Sequence, residues 1–225
     1  MREKRVQTQR LRKTSAYNGR GFISANYDEV ILGGGGLLQG VPCDNDEESS
    51  VPFFEKRGYS ADFLSVNMGL ELNDKAVEKL KETPRPNGVT YRFADDNDRE
   101  KLLAAVKDSQ ADWLPIFEEN SDAPVLLAVC GDEIAGFEMV EEYGGMFFSD
   151  NEKHSMIGCV GVTHKYRRRG IGLAMTAEGS LSLYERNCKD IQLLYVERVA
   201  WYNKLGYEVT SRQWMGRKKI QDIMF

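Results

Sequence analysis

The segment VGVTHKYRRRGIGLAM, residues 160–175, combines positive charge with bare backbone at the start of a helix. It begins as an apolar strand and becomes helical after Gly170-Ile171-Gly172. The basic residues between these two parts are Lys165, Arg167, Arg168 and Arg169. The first N–H groups of a helix lack intrahelical partners, the helix dipole is positive there, and glycine lets an anion approach the backbone closely. The segment therefore predicts an anion site.

Neither of the two common phosphate-binding motifs fits this segment. The P-loop string G-x-x-x-x-G-K-[ST] does not occur in the chain, and Met175 stands where the Rossmann fingerprint has its third glycine. A solvated arginine run with a glycine turn is the alternative explanation of the same residues. A second glycine run, at 33–36, is followed by an acidic, turn-rich stretch, which favours a strand-to-loop connection over a phosphate loop.

The elements that would position such a site follow from the hydrophobic pattern. Residues 84–88, PRPNG, predict a break after a helix at 74–82. Beyond the break, apolar runs predict strands, and apolar residues at helical spacing predict helices. The strands are expected at 89–93, 125–130, 134–140, 156–162, 191–196 and from 207 onward, and the helices near 97–106, 170–186 and 198–204. The order β-α-β-β-β-α-β-α-β predicts an α+β, or mixed α/β, fold.

The chain also contains an internal repeat. FFEKRGY at residues 53–59 parallels WYNKLGY at residues 201–207, and an extended segment follows each of them. Phe54 of the first string stands where the second has Tyr202. Two matching strings at corresponding helix-to-strand junctions favour a degenerate duplicated unit.

The string Arg167-x-x-Gly170-x-Gly172 between a strand and a helix, together with WYNKLGYEV at 201–209, resembles the GNAT superfamily, the GCN5-related N-acetyltransferases. The similarity covers residues 89–219, and the repeat resembles bacterial tandem GNAT proteins with a degenerate or partial first half. It implies a GNAT fold, with a mixed, mostly antiparallel central sheet flanked by helices, formed by 84–225 and preceded by a partial GNAT-like region at 1–83. It also implies that acetyl-CoA, as co-substrate, gives its acetyl group to an amine of a small molecule or peptide by direct attack in a ternary complex.

The resemblance assigns roles to individual residues. The basic turn is expected to wrap the pyrophosphate of acetyl-CoA, and the strand before it to lie along the pantetheine arm. The predicted cofactor-binding residues are Cys159, Val160, Val162, Arg167, Arg168, Arg169, Gly170, Ile171, Gly172 and Leu173. Tyr202 corresponds to a tyrosine that often protonates the departing CoA thiolate, and a backbone N–H near 160–162 would stabilise the oxyanion. Tyr195 stands where many members have asparagine, a departure that affects one cofactor hydrogen bond.

The base that would take a proton from the amine is sought among the acidic residues of the strand near 134–143. Glu138 is the candidate, and strand alternation places Glu138 and Glu142 on one face and Glu141 on the other. A solvated strand face, or a water chain that carries the proton, is the alternative. A covalent acyl-enzyme on Cys159 is not favoured, because buried cysteine is a common core residue and neither histidine is predicted to meet it.

Composition narrows the class of protein. The chain has 225 residues, of which 41% are hydrophobic and 29% charged, as in folded proteins, and its net charge of -5 argues against a general nucleic-acid binder. The basic tract at 1–13 is more typical of a helix face or a chain end than of a nucleic-acid site. The four cysteines include no C-x-x-C pair, so no metal is expected. No signal peptide or membrane-length apolar run is found, and a cytoplasmic location is expected.

Two functions are open from the sequence. The first is amine acetylation, and the second is a non-catalytic acyl-CoA-binding or interaction module on the same fold. The expected partner is a small-molecule or peptide amine, with no nucleic acid and no membrane, and a homodimer is left open. The first half is expected to carry no acetyl transfer, because phenylalanine has no proton to give. Its apolar residues are expected to pack on the second half or on another subunit; these are Phe53, Phe54, Phe63 and Leu64.

Overall fold

The computed structural model describes residues 29–32, 41–43, 50–143 and 154–219. The basic tract at 1–13 and the glycine run at 33–36 lie outside these residues. The strands are β1 Glu29–Leu32, β2 Val41–Pro42, β3 Ser60–Glu71, β4 Thr90–Phe93, β5 Val125–Cys130, β6 Glu133–Glu141, β7 His154–Val162, β8 Asp190–Leu193 and β9 Glu208–Lys219. The helices are α1 Val51–Glu55, α2 Asp74–Glu82, α3 Arg99–Ser109, α4 Leu114–Glu119, α5 Ile171–Glu185 and α6 Val199–Tyr202.

The described strands form one mixed sheet in the order β1-β9-β3-β8-β7-β6-β5-β4, with β2 beside β9. β7 and β8 are parallel, and the other neighbouring strands are antiparallel. The predicted α+β class, with a mostly antiparallel sheet flanked by helices, is confirmed. The predicted order of elements after residue 89 is also observed, with the addition of α4, which the hydrophobic pattern did not reveal.

Helices on the two faces of the sheet enclose two apolar clusters. One cluster lies under α2 and α5 and includes Leu70, Leu80, Val140, Ile157, Met175 and Leu183. The other lies under α3 and α4 and includes Leu102, Val106, Ile116, Phe117, Leu127, Phe137 and Met139. Burial of one such side chain contributes about 1.5–3 kcal/mol relative to exposure, so the first cluster stabilises α2 and α5 on one face and the second stabilises α3 and α4 on the other. No helix of the described ranges has both the length and the apolar character needed to cross a bilayer.

The region before the predicted boundary at residue 84 contributes directly to the same sheet. β3 lies between β8 and β9 and is hydrogen-bonded to both. α2 buries Ala76, Val77 and Leu80. The boundary therefore does not coincide with a break in the sheet, and the division into domains at 1–83 and 84–225 stays a prediction.

The apolar residues that the first region buries differ from those that we expected. Phe53 and Leu64 are exposed, at 51% and 55% of their surface, so neither is buried against the second half of this chain, and their contact with another subunit stays a prediction. Phe54 is half-buried and contacts Tyr59 edge-on, with ring centroids 5.8 Å apart. The physical reason is that α1 buries none of its residues, whereas the far end of β3 enters the core. The side chain of Phe63 lies outside the described part of the chain.

The repeat has a counterpart in the strand register. We call β1, α1 and β3 the first copy, and β8, α6 and β9 the second copy. β3 and β9 pair around Ser65 and Gln213, each of which lies six residues after the tyrosine that ends its repeat string. Each strand also has a bulge three residues after that tyrosine, at Asp62 in β3 and at Thr210 in β9.

The outer strands follow the same symmetry. β8 pairs with residues 68–71 of β3, and β1 pairs with residues 216–219 of β9. Both stretches lie nine to twelve residues after the tyrosine of their copy. The strands that pair with them read DIQL in β8 and EVIL in β1. The two copies are thus related by an approximate two-fold axis through the Ser65–Gln213 pair, as the predicted duplication requires.

Candidate functional site

A cleft opens where the two parallel strands β7 and β8 diverge. Within the described residues they pair only between His154–Met156 and Asp190–Gln192, after which β7 continues along β6 while β8 ends at Leu193. The cleft between them has a volume of about 1320 Å³. Its walls come from β7, the turn before α5, the start of α5, the loop from β8 into α6, and parts of β3, β9 and the end of α3. The two predicted motifs therefore face one space.

The β7 wall contains a bulge at its centre. The register passes from Met139–Gly158 to Phe137–Gly161, so two residues of β7, Cys159 and Val160, oppose Glu138 alone. Cys159 has φ 50°, in the left-handed region that residues with side chains rarely adopt. A bulge leaves its extra residue outside the regular hydrogen-bond ladder, and here that residue lies on the cleft wall. This is the stretch from which we predicted the oxyanion donor.

The turn before α5 brings the helix start to the cleft. Arg168 and Gly170 have φ values of 62° and 78°, so the chain reverses sharply before Ile171. The N–H of Ala174 is the first in α5 to donate back to the carbonyl of Gly170, at 3.1 Å. The N–H groups of residues 171–173 therefore have no intrahelical acceptor, and these residues line the cleft. The geometry thus leaves three N–H donors open to the cleft, and the anion site stays a prediction.

Two of the basic side chains brace the turn. Lys165 Nζ lies 2.6–2.7 Å from both carboxylate oxygens of Glu133. Arg167 donates to the carbonyl of Val162 at 3.0 Å and to that of Ser109 at 2.9 Å, and so joins the end of β7 to the end of α3. Arg167 lines the cleft, but its guanidinium already has these two acceptors.

The other two arginines point in different directions. Arg168 is exposed and lines the cleft. Arg169 lies with its guanidinium carbon 5.2 Å from the ring centre of Tyr166 and is not among the described residues that line the cleft. The structure therefore does not bring Arg169 to the site with the other predicted cofactor residues, because the left-handed turn at Arg168 separates the directions of neighbouring side chains.

Gly172 has a packing role that we did not foresee. A Cβ at this position would lie 3.2 Å from Val162 Cγ2 and 3.3 Å from Trp201 Cζ2, closer than most real contacts. The missing side chain lets the start of α5, the end of β7 and α6 meet. The glycine thus shapes the cleft, whereas the sequence argument assigned it to close approach of a phosphate.

Tyr202 lies on the wall formed by α6 and is half-buried. Its ring contacts those of Trp201 and Tyr207 edge-on, with centroid distances of 4.6 Å and 6.0 Å. Burial, with a smaller contribution from the charge of Glu138, raises the pKa of the phenol well above its ordinary value. The hydroxyl therefore keeps its proton at neutral pH and is available as a hydrogen-bond donor in the cleft.

Glu138 lies beneath α5. Its side chain is fully buried, and its Oε2 accepts a hydrogen bond from Thr176 Oγ1 at 2.9 Å. Its Oε1 has no hydrogen-bond partner within the described ranges, and burial raises the pKa of the carboxyl to about 8. Glu138 is not among the described residues that line the cleft. A buried carboxyl that is mostly protonated at neutral pH does not fit the base that we predicted.

The predicted alternation of acidic residues at the end of β6 agrees with the structure. Glu142 pairs with Arg186 Nη1 at 3.3 Å, at the end of α5, which also covers Glu138. Glu141 follows the alternation of Met139, which packs under α3 and α4 on the other face. Its charge adds to the effect of burial on the nearby Cys159 thiol.

Neither Cys159 nor the histidines form a nucleophilic pair. Burial, and then the charge of Glu141, raises the pKa of the Cys159 thiol to about 12, so the reactive thiolate is scarce at neutral pH. His154 Nδ1 lies 2.6 Å from Asp190 Oδ2, and the backbone N–H of His164 donates to Asp108 Oδ2 at 2.7 Å. In the part of the chain that the structure describes, no group of three or more His, Cys, Asp and Glu could hold a metal ion.

Several cleft residues carry no signal in the sequence. Ser109, Gln110 and Trp113 come from the end of α3 and the turn after it, and Leu64, Ser65 and Val66 come from β3. All of them are distant along the chain from residues 160–175 and 201–207. They reach the cleft only through the strand order and the packing of α3, so no local pattern could have identified them.

Comparisons with known proteins locate the fold. No family model matches the chain, and no curated protein matches it. A GCN5-related glucosamine N-acetyltransferase region of a fungal multi-domain GH3 β-N-acetylglucosaminidase superposes with a TM-score of 0.70 and 19% identity, over 85% of this chain and 25% of that one. A GCN5-related N-acetyltransferase from Sphaerobacter thermophilus superposes with a TM-score of 0.59 and 23% identity, over 80% of this chain and 58% of that one. A tandem GNAT protein from the clavulanic acid biosynthesis pathway superposes with a TM-score of 0.58 and 14% identity, over 85% of this chain and 62% of that one.

Proposed function

We propose that this chain, whose fold is that of the GCN5-related N-acetyltransferases, transfers the acetyl group of acetyl-CoA to an amine of a small molecule or peptide. The attack is direct, within a ternary complex. The observation that carries the proposal is the cleft between β7 and β8, where the free N–H groups at the start of α5 and the phenol of Tyr202 lie on separate walls of one space.

The residues of the cleft fit acetyl-CoA, which proteins of this fold generally use. Its pyrophosphate has donors in the N–H groups of residues 171–173 and a positive charge in Arg168. The bulged strand supplies the wall for the thioester arm through Cys159, Val160 and Val162. When bound, the co-substrate supplies an activated acetyl group.

The chain contributes to the reaction by position and proton donation. The cleft holds the amine nitrogen against the carbonyl carbon, which converts a bimolecular encounter into a local one. The backbone at the bulge of β7 donates a hydrogen bond to the carbonyl oxygen as the C–N bond forms. Tyr202 gives its proton to sulfur as the C–S bond breaks, and it regains a proton from the nitrogen through water. With Glu138 enclosed beneath α5, an amine that enters as an ammonium loses its extra proton to water in the cleft before it attacks.

The cofactor site is tested by a matched pair of arginine variants. Arg168→Gln and Arg169→Gln remove the same charge from neighbouring positions, but only Arg168 lines the cleft. A hydrogen bond to a charged group contributes about 1.5–3 kcal/mol, less where water screens it, so Arg168→Gln should weaken acetyl-CoA binding roughly tenfold. Arg169→Gln should change it less than about twofold. Calorimetry measures both, and equal losses would show that the turn acts only through its net charge.

Activity is tested by release of free thiol from acetyl-CoA with a panel of amines. Turnover supports the transferase. Tight binding of acetyl-CoA with no turnover on any amine would instead support the non-catalytic acyl-CoA-binding module. The cytoplasmic location, the absence of nucleic-acid and membrane partners, and the homodimer stay predictions of the sequence.

A further inference from the structure

Two buried polar atoms beside the cleft have no hydrogen-bond partner within the described residues. They are Ser65 Oγ and Gln213 Oε1. Ser65 retains only 2% of its exposed surface. The two residues are direct partners across β3 and β9, so their side chains leave the same face of the sheet with Cβ atoms about 4.5–5.5 Å apart. A buried polar group without a partner destabilises the fold, and both strands bear that cost at one point.

The neighbouring pair on the same face is satisfied. Asn67 Nδ2 donates to Ser211 Oγ at 3.1 Å, and these residues are the next same-face partners along β3 and β9. The sequence is therefore able to close a polar pair across these strands. Ser65 and Gln213 are also direct cross-strand partners, but no hydrogen bond joins Ser65 Oγ to Gln213 Oε1. This contrast indicates that the open pair is satisfied by something that binds there.

The open pair lies close to the proposed reaction site. Ser65 lines the same cleft as Tyr202. Gln213 lines an adjoining groove of about 540 Å³, and Leu194 borders both spaces. The carbonyl of Val66 accepts from the N–H of Val196 at 2.7 Å, which fixes the loop that leads into α6 directly beside Ser65.

The chemistry of the two atoms selects their ligand. Gln213 Oε1 only accepts hydrogen bonds, whereas the Ser65 hydroxyl donates and accepts. One hydroxyl group can accept from Ser65 and donate to Gln213 at the same time. A carboxylate has no proton for Gln213, and an ammonium, which could donate to both atoms, would bring a positive charge into this buried place. The four residues of this stripe, Ser65, Asn67, Ser211 and Gln213, are also uncharged and would not compensate a buried ionic group.

We propose that Ser65 and Gln213 bind a hydroxyl group of the acceptor, and that the acceptors are hydroxylated amines, such as amino alcohols or amino sugars. This inference rests on the proposed acetyl transfer and defines its substrate class. It gives the first copy a direct part in the site, since Ser65 belongs to β3. The position of the Ser65–Gln213 pair on the two-fold axis means that each copy supplies one member.

The test compares amino alcohols of three to six carbons with the alkylamines and amino acids of the same length. The range of lengths covers the unknown distance between the amine and the hydroxyl. We expect kcat/KM at least tenfold higher for the best amino alcohol than for the alkylamine or amino acid of its length, because a site built to bind a hydroxyl rejects analogues that lack it. Glucosamine and cyclohexylamine extend the comparison to a ring.

Ser65→Ala and Gln213→Met then identify the residues, with Ser60→Ala as a control on the same strand, where the serine is exposed. Each cleft variant should abolish the hydroxyl preference by raising KM for the amino alcohol, and should leave KM for acetyl-CoA within about twofold. Each should also leave the thermal stability equal or higher, because it removes an unsatisfied buried group. A purely structural pair would lose stability and keep the preference.

The outcomes separate the two proposals. Turnover without a hydroxyl preference, or a preference that survives both Ser65→Ala and Gln213→Met, would overturn this inference and leave the transferase intact. Bound acetyl-CoA with no turnover on any amine would overturn the proposed function, and the inference with it.

Discussion

The first and second copies occupy equivalent places in one sheet, but they border different surroundings. β3 and β9 have bulges at the same position after a Gly-Tyr pair, and their outer partners β1 and β8 pair at the same offset. The second copy lies next to β7, whose divergence from β8 opens the cleft. The first copy ends in β1, and its aromatic pair, Phe53 and Phe54, belongs to a helix that buries nothing.

The comparison shows that the two copies share their strand pairing but not the elements that form the cleft. Strand pairing needs complementary backbone and a shared register. Both copies keep these, because β3 of the first copy and β9 of the second are hydrogen-bonded to each other. The proposed acetyl transfer uses the bulge of β7, the turn before α5 and the N–H groups of α5, all of which lie outside the repeated string. The first copy can therefore keep its geometry without an acetyl-transfer site of its own.

The largest expected effect comes from exchange of the aromatic residues between the copies. Tyr202→Phe gives the second copy the residue of the first and should lower kcat by about 10²–10⁴-fold, the usual contribution of a positioned acid. Acetyl-CoA affinity should stay within about twofold, at one site per chain. Phe54→Tyr should create no activity, alone or with Tyr202→Phe.

Steady-state kinetics, under conditions where chemistry limits the rate, and calorimetry measure these variants. An unchanged kcat in Tyr202→Phe would remove Tyr202 from the reaction. Two acetyl-CoA sites per chain would show that the first copy is a working site, and the contrast between the copies would disappear.

The next effect concerns Glu138, whose charge adds to the larger effect of burial in raising the pKa of both Tyr202 and Tyr207. Burial raises the pKa of its own carboxyl from 4.5 to about 8, so the folded state binds a proton that the unfolded state releases between these values. Stability from this group is therefore complete below about pH 4.5 and is lost as pH rises through about 8, by about 5 kcal/mol in total.

Glu138→Gln removes this titration. In urea unfolding at pH 6 and pH 9, the wild-type protein should lose about 2–3 kcal/mol more than the variant between the two conditions. Other titrating groups are common to both proteins and cancel in the difference. The same pH dependence in the two proteins would mean that the carboxyl is ionised in the fold and has a partner outside the described residues.

The smallest effect compares the glycines before the two tyrosines. Gly206 and Gly58 have φ values of 98° and 84°, and a Cβ at either would meet its neighbours at ordinary distances of 3.5 Å. Alanine in the left-handed region costs about 1–2 kcal/mol, and Gly206→Ala should lower the free energy of unfolding by that amount, since it lies between the buried Leu205 and Tyr207.

Gly58→Ala should cost less than about 0.5 kcal/mol, because α1 buries no residue and can open without unfolding the core. Urea unfolding of the two variants gives the comparison directly. Equal losses would show that the first copy is as firmly built as the second.

Prediction from sequence was best where one short segment carried the whole signal. The turn before α5, the strand that precedes it and the aromatic wall with Tyr202 are in the structure as the motifs indicated. It was weaker where the direction of a side chain mattered. Arg169 was grouped with Arg168, although a left-handed residue turns the two apart. Glu138 was predicted to face the cleft. Strand alternation showed which residues share its face, but the sequence did not show that α5 covers that face.

The sequence by itself determined the elements and the basic turn before α5, and it indicated two copies, because turn geometry, helix ends and strand periodicity are local properties of a few neighbouring residues. Tertiary structure decided which side chains meet. The insertion of β3 between β8 and β9 brings Ser65 opposite Gln213, the packing of α5 encloses Glu138, and the divergence of β7 from β8 makes the cleft. Each of these depends on contacts between residues far apart in the chain, and such contacts arise from the shared burial of apolar surface, which leaves no mark on any one segment.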